Sequence, residues 1–494
     1  MSTSPTVHDG APDSTPGATP QTTPQKTPKR AALSSWVGSA LEYYDFAVYG
    51  TAAALVINVL FFPEDTSPGV AVLASMATVG IAYVVRPLGA LIMGPLADRF
   101  GRKFVLMLSL FMIGASTFVV GCLPTYGQVG LLAPLLLALC RVVQGISASG
   151  EQGSAIAVSL EHADEQHRSW TTAWTLHGTQ FGTLLATAVF IPFTAFLSDD
   201  ALMSWGWRVP FWLSAFVVLI AWVIRRRLEE PPAFQETAAE VEEAKEDEKE
   251  VERDTADNLD PKTRERVAAR AAAARHNPLQ LVLKYHRTAV IRVAFAAMIN
   301  TVNIVFTVWS LSFATSIVGL DRSTMLWVTV TGNICALVSI PLSGSAADRF
   351  GRKKVFITGA LGAAVVMYPY LMAVNAGNWP LIFILGAVMF GLFYSMSNAT
   401  WPALYAEMFP TSVRVTGIAL GTQIGFALSG GFAPILASLV AGAEGDNYLG
   451  VAIFSSVVAV LVSVAIATTR ETAFMTLDEI DAGDTFVQKV KQNQ

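Results

Sequence analysis

The chain has 494 residues, of which 53% are hydrophobic and only 14% charged, with a formal net charge of −5. That composition excludes an ordinary soluble globular protein and makes the lipid bilayer the expected solvent. The apolar stretches run continuously for about 20 residues or more instead of alternating, which excludes a β-barrel and fits helices crossing a hydrocarbon core of roughly 30 Å.

Residues 1–32 are rich in Ser, Thr and Pro and lack the apolar core of a secretory signal. They read as a disordered cytoplasmic tail, with Lys26, Lys29 and Arg30 just before the first span. Polar turns then divide the apolar sequence into about twelve spans: 33–62, 70–97, 104–123, 130–158, 170–197, 208–226, 289–317, 324–347, 354–375, 379–403, 414–441 and 449–469. The expected fold is an all-α polytopic membrane protein with two pseudosymmetric six-helix bundles. An N-terminal bundle covers 33–228, a charged cytoplasmic linker 229–287, a C-terminal bundle 288–470 and a cytoplasmic C-terminal tail 471–494. Most of the acidic excess lies between Glu229 and Asp260, so the net charge says little about partners. Lys and Arg concentrate in alternate loops, around Arg99, Arg168, Arg225, Arg349, Arg414 and Arg470. That bias predicts a multi-pass protein of the cell membrane with both termini cytoplasmic. Cys122, Cys140 and Cys335 fall inside spans and behave there as small apolar residues.

The halves echo one another. Gly94 to Lys103 reads GPLADRFGRK and Gly344 to Lys353 reads GSAADRFGRK. After spans four and ten, Glu161 precedes Arg168 by seven residues and Glu407 precedes Arg414 by seven. Both echoes keep one membrane orientation, so the repeats are parallel. In each hairpin a Gly permits a tight turn, and Asp98 or Asp348 can accept from Arg side chains or from exposed helix amides. Arg99, Arg102, Arg349 and Arg352 can cross-link to Glu161 and Glu407. These eight charged residues, with Arg168 and Arg414, are the expected gate, a latch that joins helix ends in one state and releases them in another.

The hairpins resemble the signature loop of the major facilitator superfamily. The stretches GSALEYYDFAVYG (Gly38 to Gly50), RPLGALIMGPLADRFGRK (Arg86 to Lys103), RVVQGISASGEQG (Arg141 to Gly153), WGWRVPF (Trp205 to Phe211), LEEPPAF (Leu228 to Phe234) and LYAEMFPTSVR (Leu404 to Arg414) resemble its metabolite:proton symporter branch. Tyr43 stands where that branch usually has Trp, and Ala148 where it often has Gly. The resemblance covers nearly the whole chain and implies proton-driven uptake of a small metabolite, commonly an organic acid or a zwitterionic osmolyte.

Ionisable residues inside the spans carry the chemistry, because a charge at that depth costs a few kcal/mol unless it meets a cavity or a partner. They lie in the first half. Asp45, then Glu42 and Glu151, are the expected proton-coupling groups, with a permanent ion-pair network as the structural alternative. Arg86 and Arg141 are expected to bind an anionic substrate or pair with a carboxylate. Tyr43, Tyr44, Gln144, His177 and Gln180 are expected in the polar wall of the cavity, facing Asn300, Asn303, Trp309, Asn333, Asn398 and Gln423 of the second half. Gly178 and Gly182, and the series Gly417, Gly421 and Gly425, permit close helix approach at four-residue spacing.

No catalytic residues, metal ligands or nucleotide-binding loop emerge, and no cofactor is expected. The expected partners are a small solute, protons and the bilayer, with no nucleic acid and no obligatory protein partner. The expected function is a proton-coupled symporter that imports an organic acid by alternating access. The alternatives are a betaine or proline importer and a nutrient sensor that binds without turnover.

Overall fold

A computed structural model of the chain describes residues 28–52, 56–63, 68–225, 278–442 and 446–483. Residues 1–27 of the expected N-terminal tail, 229–277 of the expected linker with 226–228 before it, and 484–494 of the expected C-terminal tail lie outside the described residues. Among the described residues every regular element is helical. The first six spans are α1 (Pro28–Ala52), α2 (Pro68–Phe100), α3 (Arg102–Cys122), α4 (Leu132–Glu161), α5 (Arg168–Phe196) and α6 (Val209–Arg225). In the second half, α7 starts as Arg287–Ala297 and continues through Asn300–Ile304 to Ile317. It is followed by α8 (Arg322–Phe350), α9 (Arg352–Asn375), α10 (Trp379–Ala406), α11 (Arg414–Phe426, continuing through Ala433–Ala441) and α12 (Tyr448–Ala467).

All twelve expected spans are thus occupied by helix, and among the described residues nine of these helices are long and apolar enough to cross a membrane. The other three have local reasons to differ. Only 17 residues of α6 are described, while α1 and α5 carry polar residues that the site uses. Large apolar side chains such as Phe111, Leu135, Val338, Leu342 and Leu439 lie exposed on the outer surface. A soluble protein would hide them; a bilayer solvates them.

Each signature hairpin is a one-residue joint. Gly101 separates α2 from α3 with φ 102°, and Gly351 separates α8 from α9 with φ 98°. That left-handed backbone region is open to glycine and strained for other residues, so the repeated Gly fixes the repeated turn. The motif WGWRVPF has a structural task at the opposite end of the bundle. Arg208 donates to the carbonyls of Gly121 and Leu123 at 2.8 Å each, which satisfies the carboxyl-terminal end of α3 with a cation.

Helix contacts within a half are set by glycine. A Cβ on Gly178 would lie 2.3 Å from the Trp36 carbonyl oxygen, and one on Gly182 would lie 2.1 Å from that of Ala40, so α1 and α5 meet backbone to backbone. Their counterparts Gly421 and Gly425 press on Val293 and Ala294, joining α11 to α7. Gly417 packs against the Phe409 ring instead, close to its own helix start. Across the halves, α5 packs on α8 and α2 packs on α11.

Candidate functional site

At the hairpin end the two halves are tied by charged groups. Asp98, near the end of α2, accepts from the amides of Val415 and Thr416 at 3.3 and 2.8 Å and from the Thr416 hydroxyl at 2.6 Å. Asp348, near the end of α8, accepts from the amides of Ser169 and Trp170 at 2.8 and 2.9 Å. Each aspartate therefore caps the first turn of a helix from the other half, where unpaired amides and the helix dipole favour an anion. The second echo is exchanged in the same manner. Arg414 pairs with Glu161 at 2.7 Å, and Arg168 pairs with Glu407 at 2.9 Å. Arg352 joins them, bonding to Ser169 Oγ at 2.8 Å, lying 3.8 Å from Asp348 and pairing with Glu407.

Seven of the ten expected latch residues are brought together here. Arg99 and Arg349 are exposed and lie over the rings of Phe100 and Phe350, because they sit on the outward side of the turn. The Arg102 side chain lies outside the described residues. Sequence reasoning missed a further component, the segment after α12. Glu471 accepts from the amides of Arg352 and Lys353 at 3.2 and 3.1 Å, and the Thr472 carbonyl accepts from Arg168 at 3.1 Å. An acid placed directly after the last span was the available signal.

Between the halves lies a small cavity of about 70 Å³. Tyr43, Arg86, Gln180, Asn300, Asn303 and Asn398 line it, all expected from the sequence. Tyr394, Asn398, Trp401 and Tyr405 form another part of its wall. Their spacing of four, three and four residues places them on one face of α10, a helical stripe that was legible and passed over. Tyr83 and Gln152 also line it; Tyr83 precedes Arg86 by three residues on α2 and so shares its face.

Arg86 is the cationic side chain of this wall. It lies 3.5 Å from Glu42 and over the rings of Phe46 and Tyr83 at 4.5 and 4.7 Å, and its Nε has no hydrogen-bond partner among the described residues. Other expected residues stand away from the cavity. Arg141 bonds to Gln144 at 2.5 Å and stacks over Tyr49 at 3.8 Å, and Gln144 in turn donates to Thr117 at 2.6 Å. Tyr44 donates to the Pro210 carbonyl at 2.9 Å within the first half's core. His177 accepts from Trp36 Nε1 at 2.8 Å and rests against Trp174, so it serves the α1–α5 contact. Trp309 stacks on Phe313 at 5.1 Å inside the second half's core. These five side chains turn away because the helices present other faces to the cavity. Glu151 is buried in α4, one position before the lining residue Gln152. Of the remaining polar candidates, Asn333 bonds back to the Thr329 carbonyl at 3.0 Å and Gln423 is fully buried.

Asp45 is 1% exposed and faces Thr117, Arg141 and Glu42, and among the described residues the Thr117 hydroxyl is the group beside it that can donate, short of full hydrogen-bond geometry. Among the described residues no cluster of His, Cys, Asp and Glu suits a metal ion.

Over residues 31–483 the chain matches the family described as sugar (and other) transporter. It is 31% identical over 426 residues to the shikimate transporter of Escherichia coli (strain K12), covering 86% of this chain and 90% of that protein. It is 28% identical over 418 residues to a putative proline/betaine transporter of Staphylococcus aureus (strain COL), with 84% and 83% covered. Its fold is similar to that of the proton:xylose symporter XylE bound to 6-bromo-6-deoxy-D-glucose, with a TM-score of 0.73, 20% identity and coverage of 92% of this chain and 98% of that one. With the duplicated hairpins, the paired bundles and a match spanning both halves, the chain belongs to the major facilitator superfamily, in its sugar and metabolite transporter branch, and is a multi-pass membrane transporter and not an enzyme.

Proposed function

We propose that the chain is a proton-coupled symporter that imports a small organic acid across the cell membrane, with the hairpins and both termini in the cytoplasm. The observation that carries this reading is Arg86. It stands in the wall between the halves with guanidinium Nε unpartnered, amide side chains of Asn300, Asn303 and Asn398 opposite it and aromatic faces beside it. A guanidinium suits a carboxylate, amides suit hydroxyl groups, and aromatic faces suit a ring. A hydroxylated cyclic carboxylate meets all three, which accords with the shikimate transporter among its relatives.

Asp45 supplies the coupling group. An ionised carboxyl buried there is offset only in part by Thr117 and by the nearby Arg141, with which it forms no ion pair, and a bound proton removes that charge. The halves rock about the cavity as two units, the latch closing the cytoplasmic side until substrate and proton are aboard. In a second reading the aromatic faces hold the quaternary ammonium of a betaine and Arg86 its carboxylate, in keeping with the 28% identical relative.

The test is a thermal-unfolding screen of purified protein with shikimate, glycine betaine, proline and xylose, followed by uptake into proteoliposomes under an inward proton gradient. Stabilisation by shikimate together with uphill accumulation is the expected result. Stabilisation by betaine alone replaces it with the second reading, and binding without accumulation overturns symport.

A further inference from the structure

The segment after α12 doubles back under the second half as a strap. Asp481, in its short helix Leu477–Ala482, accepts from the Thr411 hydroxyl at 2.7 Å and lies 3.5 Å from Arg414. Between this strap, the start of α7 and the turn joining α10 to α11 lies a second cavity of about 190 Å³, separate from the one between the halves. Arg292 of α7 and Arg470, just beyond α12, both line it. Neither guanidinium is held by a carboxylate or carbonyl among the described residues. The Arg470 guanidinium lies 3.5 Å from where a side chain on Gly483 would begin, so it adjoins the strap's far end. The acid in the wall, Glu407, is already engaged by Arg168 and Arg352. Leu404, Met408 and Ile480 add apolar surface, and Thr469 and Thr472 add hydroxyl groups.

Two cations without a carboxylate partner among the described residues, beside apolar side chains and two hydroxyl groups, make a site for a carbon skeleton bearing carboxylate. We propose that this cavity binds a soluble organic carboxylate at the hairpin end and thereby holds the strap, and with it the latch, in the closed arrangement. The coupling follows from the walls. Strap residues and the Glu407 turn both contribute to the cavity, and the same strap contacts Arg168, Arg352 and Arg414. A ligand that needs both walls binds the closed state better than any state in which they part, and so favours closure. The inference is independent of which solute the central cavity carries.

Hydrogen exchange of residues 471–482 in the full chain, in phosphatidylcholine nanodiscs with and without succinate, tests it. Succinate is expected to slow exchange across the strap by about fivefold or more. The Arg292→Gln/Arg470→Gln double variant is expected to lose that protection while exchange elsewhere stays as in the parent, and Arg292→Lys/Arg470→Lys is expected to retain part of it. Strap exchange indifferent to succinate overturns the proposal. So does equal protection in the Gln variant, the result expected if succinate acts only through the central cavity. Protection that appears with phosphatidylglycerol in the disc and not with succinate assigns the site to a lipid head group and overturns it too.

Discussion

Asp45 and Arg141 lie close together in the first half without bonding to each other, because Gln144, Tyr49 and the Thr78 carbonyl hold the guanidinium instead. Asp45 is thus a buried carboxyl beside the Thr117 hydroxyl with no ion pair of its own among the described residues, an arrangement in which gain or loss of a proton has a large structural consequence. Asp45→Asn removes the exchangeable proton and keeps the shape. Uphill, gradient-driven uptake into proteoliposomes is expected to disappear, while counterflow exchange between equal substrate pools persists. Unchanged uphill uptake would remove Asp45 from the coupling role. The four ionisable residues Glu42, Asp45, Arg86 and Arg141 were legible in the sequence because charge inside an apolar run is costly and therefore conspicuous. Which of the two arginines faces the cavity was not legible. That depends on the rotation of α2 and α4 about their own axes, which long-range packing sets.

The contact between α1 and α5 depends on the absence of side chains at two positions. A methyl group on Gly182 would sit 2.1 Å from the Ala40 carbonyl oxygen, a backbone atom that cannot turn aside, so the helices must separate. Overpacking of this kind costs about 1–3 kcal/mol. Gly182→Ala is expected to lower the unfolding temperature of the purified protein measurably, whereas Gly50→Ala on α1, with nothing within 4 Å of the new methyl, leaves it unchanged. Equal melting of the two variants would show that the close approach carries no stability. This pairing was readable from the four-residue glycine spacing. The wide helical turns of the second half were not: Val305–Trp309 and Phe313–Ile317 in α7, Ala387–Tyr394 in α10 and Ala427–Phe432 in α11. Each inserts extra backbone into a membrane-spanning run, and the four segments VFTVW, FATSI, AVMFGLFY and ALSGGF share no sequence feature that would announce it. All three helices contribute to the cavity wall, and such turns are natural places for a helix to bend as the cavity changes shape.

At the scale of the whole molecule, the two sequence echoes become one exchange-symmetric lock. The ends of α2 and α4 hold the start of α11, and the ends of α8 and α10 hold the start of α5. The repeats revealed the participating residues, but not that each acid would bind the opposite half, since a repeat specifies equivalence and not partnership. Exchange of partners makes every one of these bonds break in the same opening movement, so their contributions act on a single equilibrium. Replacing a carboxylate that caps a helix start costs about 1 kcal/mol, or roughly a fivefold change in the ratio of closed to open molecules. Asp98→Asn and Asp348→Asn should therefore each raise the open population at the hairpin end by a similar factor, and the double variant by about the product of the two. Pulsed electron paramagnetic resonance between spin labels at Glu165 and Lys354 reads this directly, because both positions are exposed and lie on opposite halves. With the three native cysteines replaced, the parent should show mainly the short distance and the variants a growing long-distance fraction. Distance distributions identical to the parent's in both single variants would mean that the aspartates anchor helix ends without governing the conformational balance, and the lock would have to be assigned to the Glu161–Arg414 and Glu407–Arg168 pairs alone.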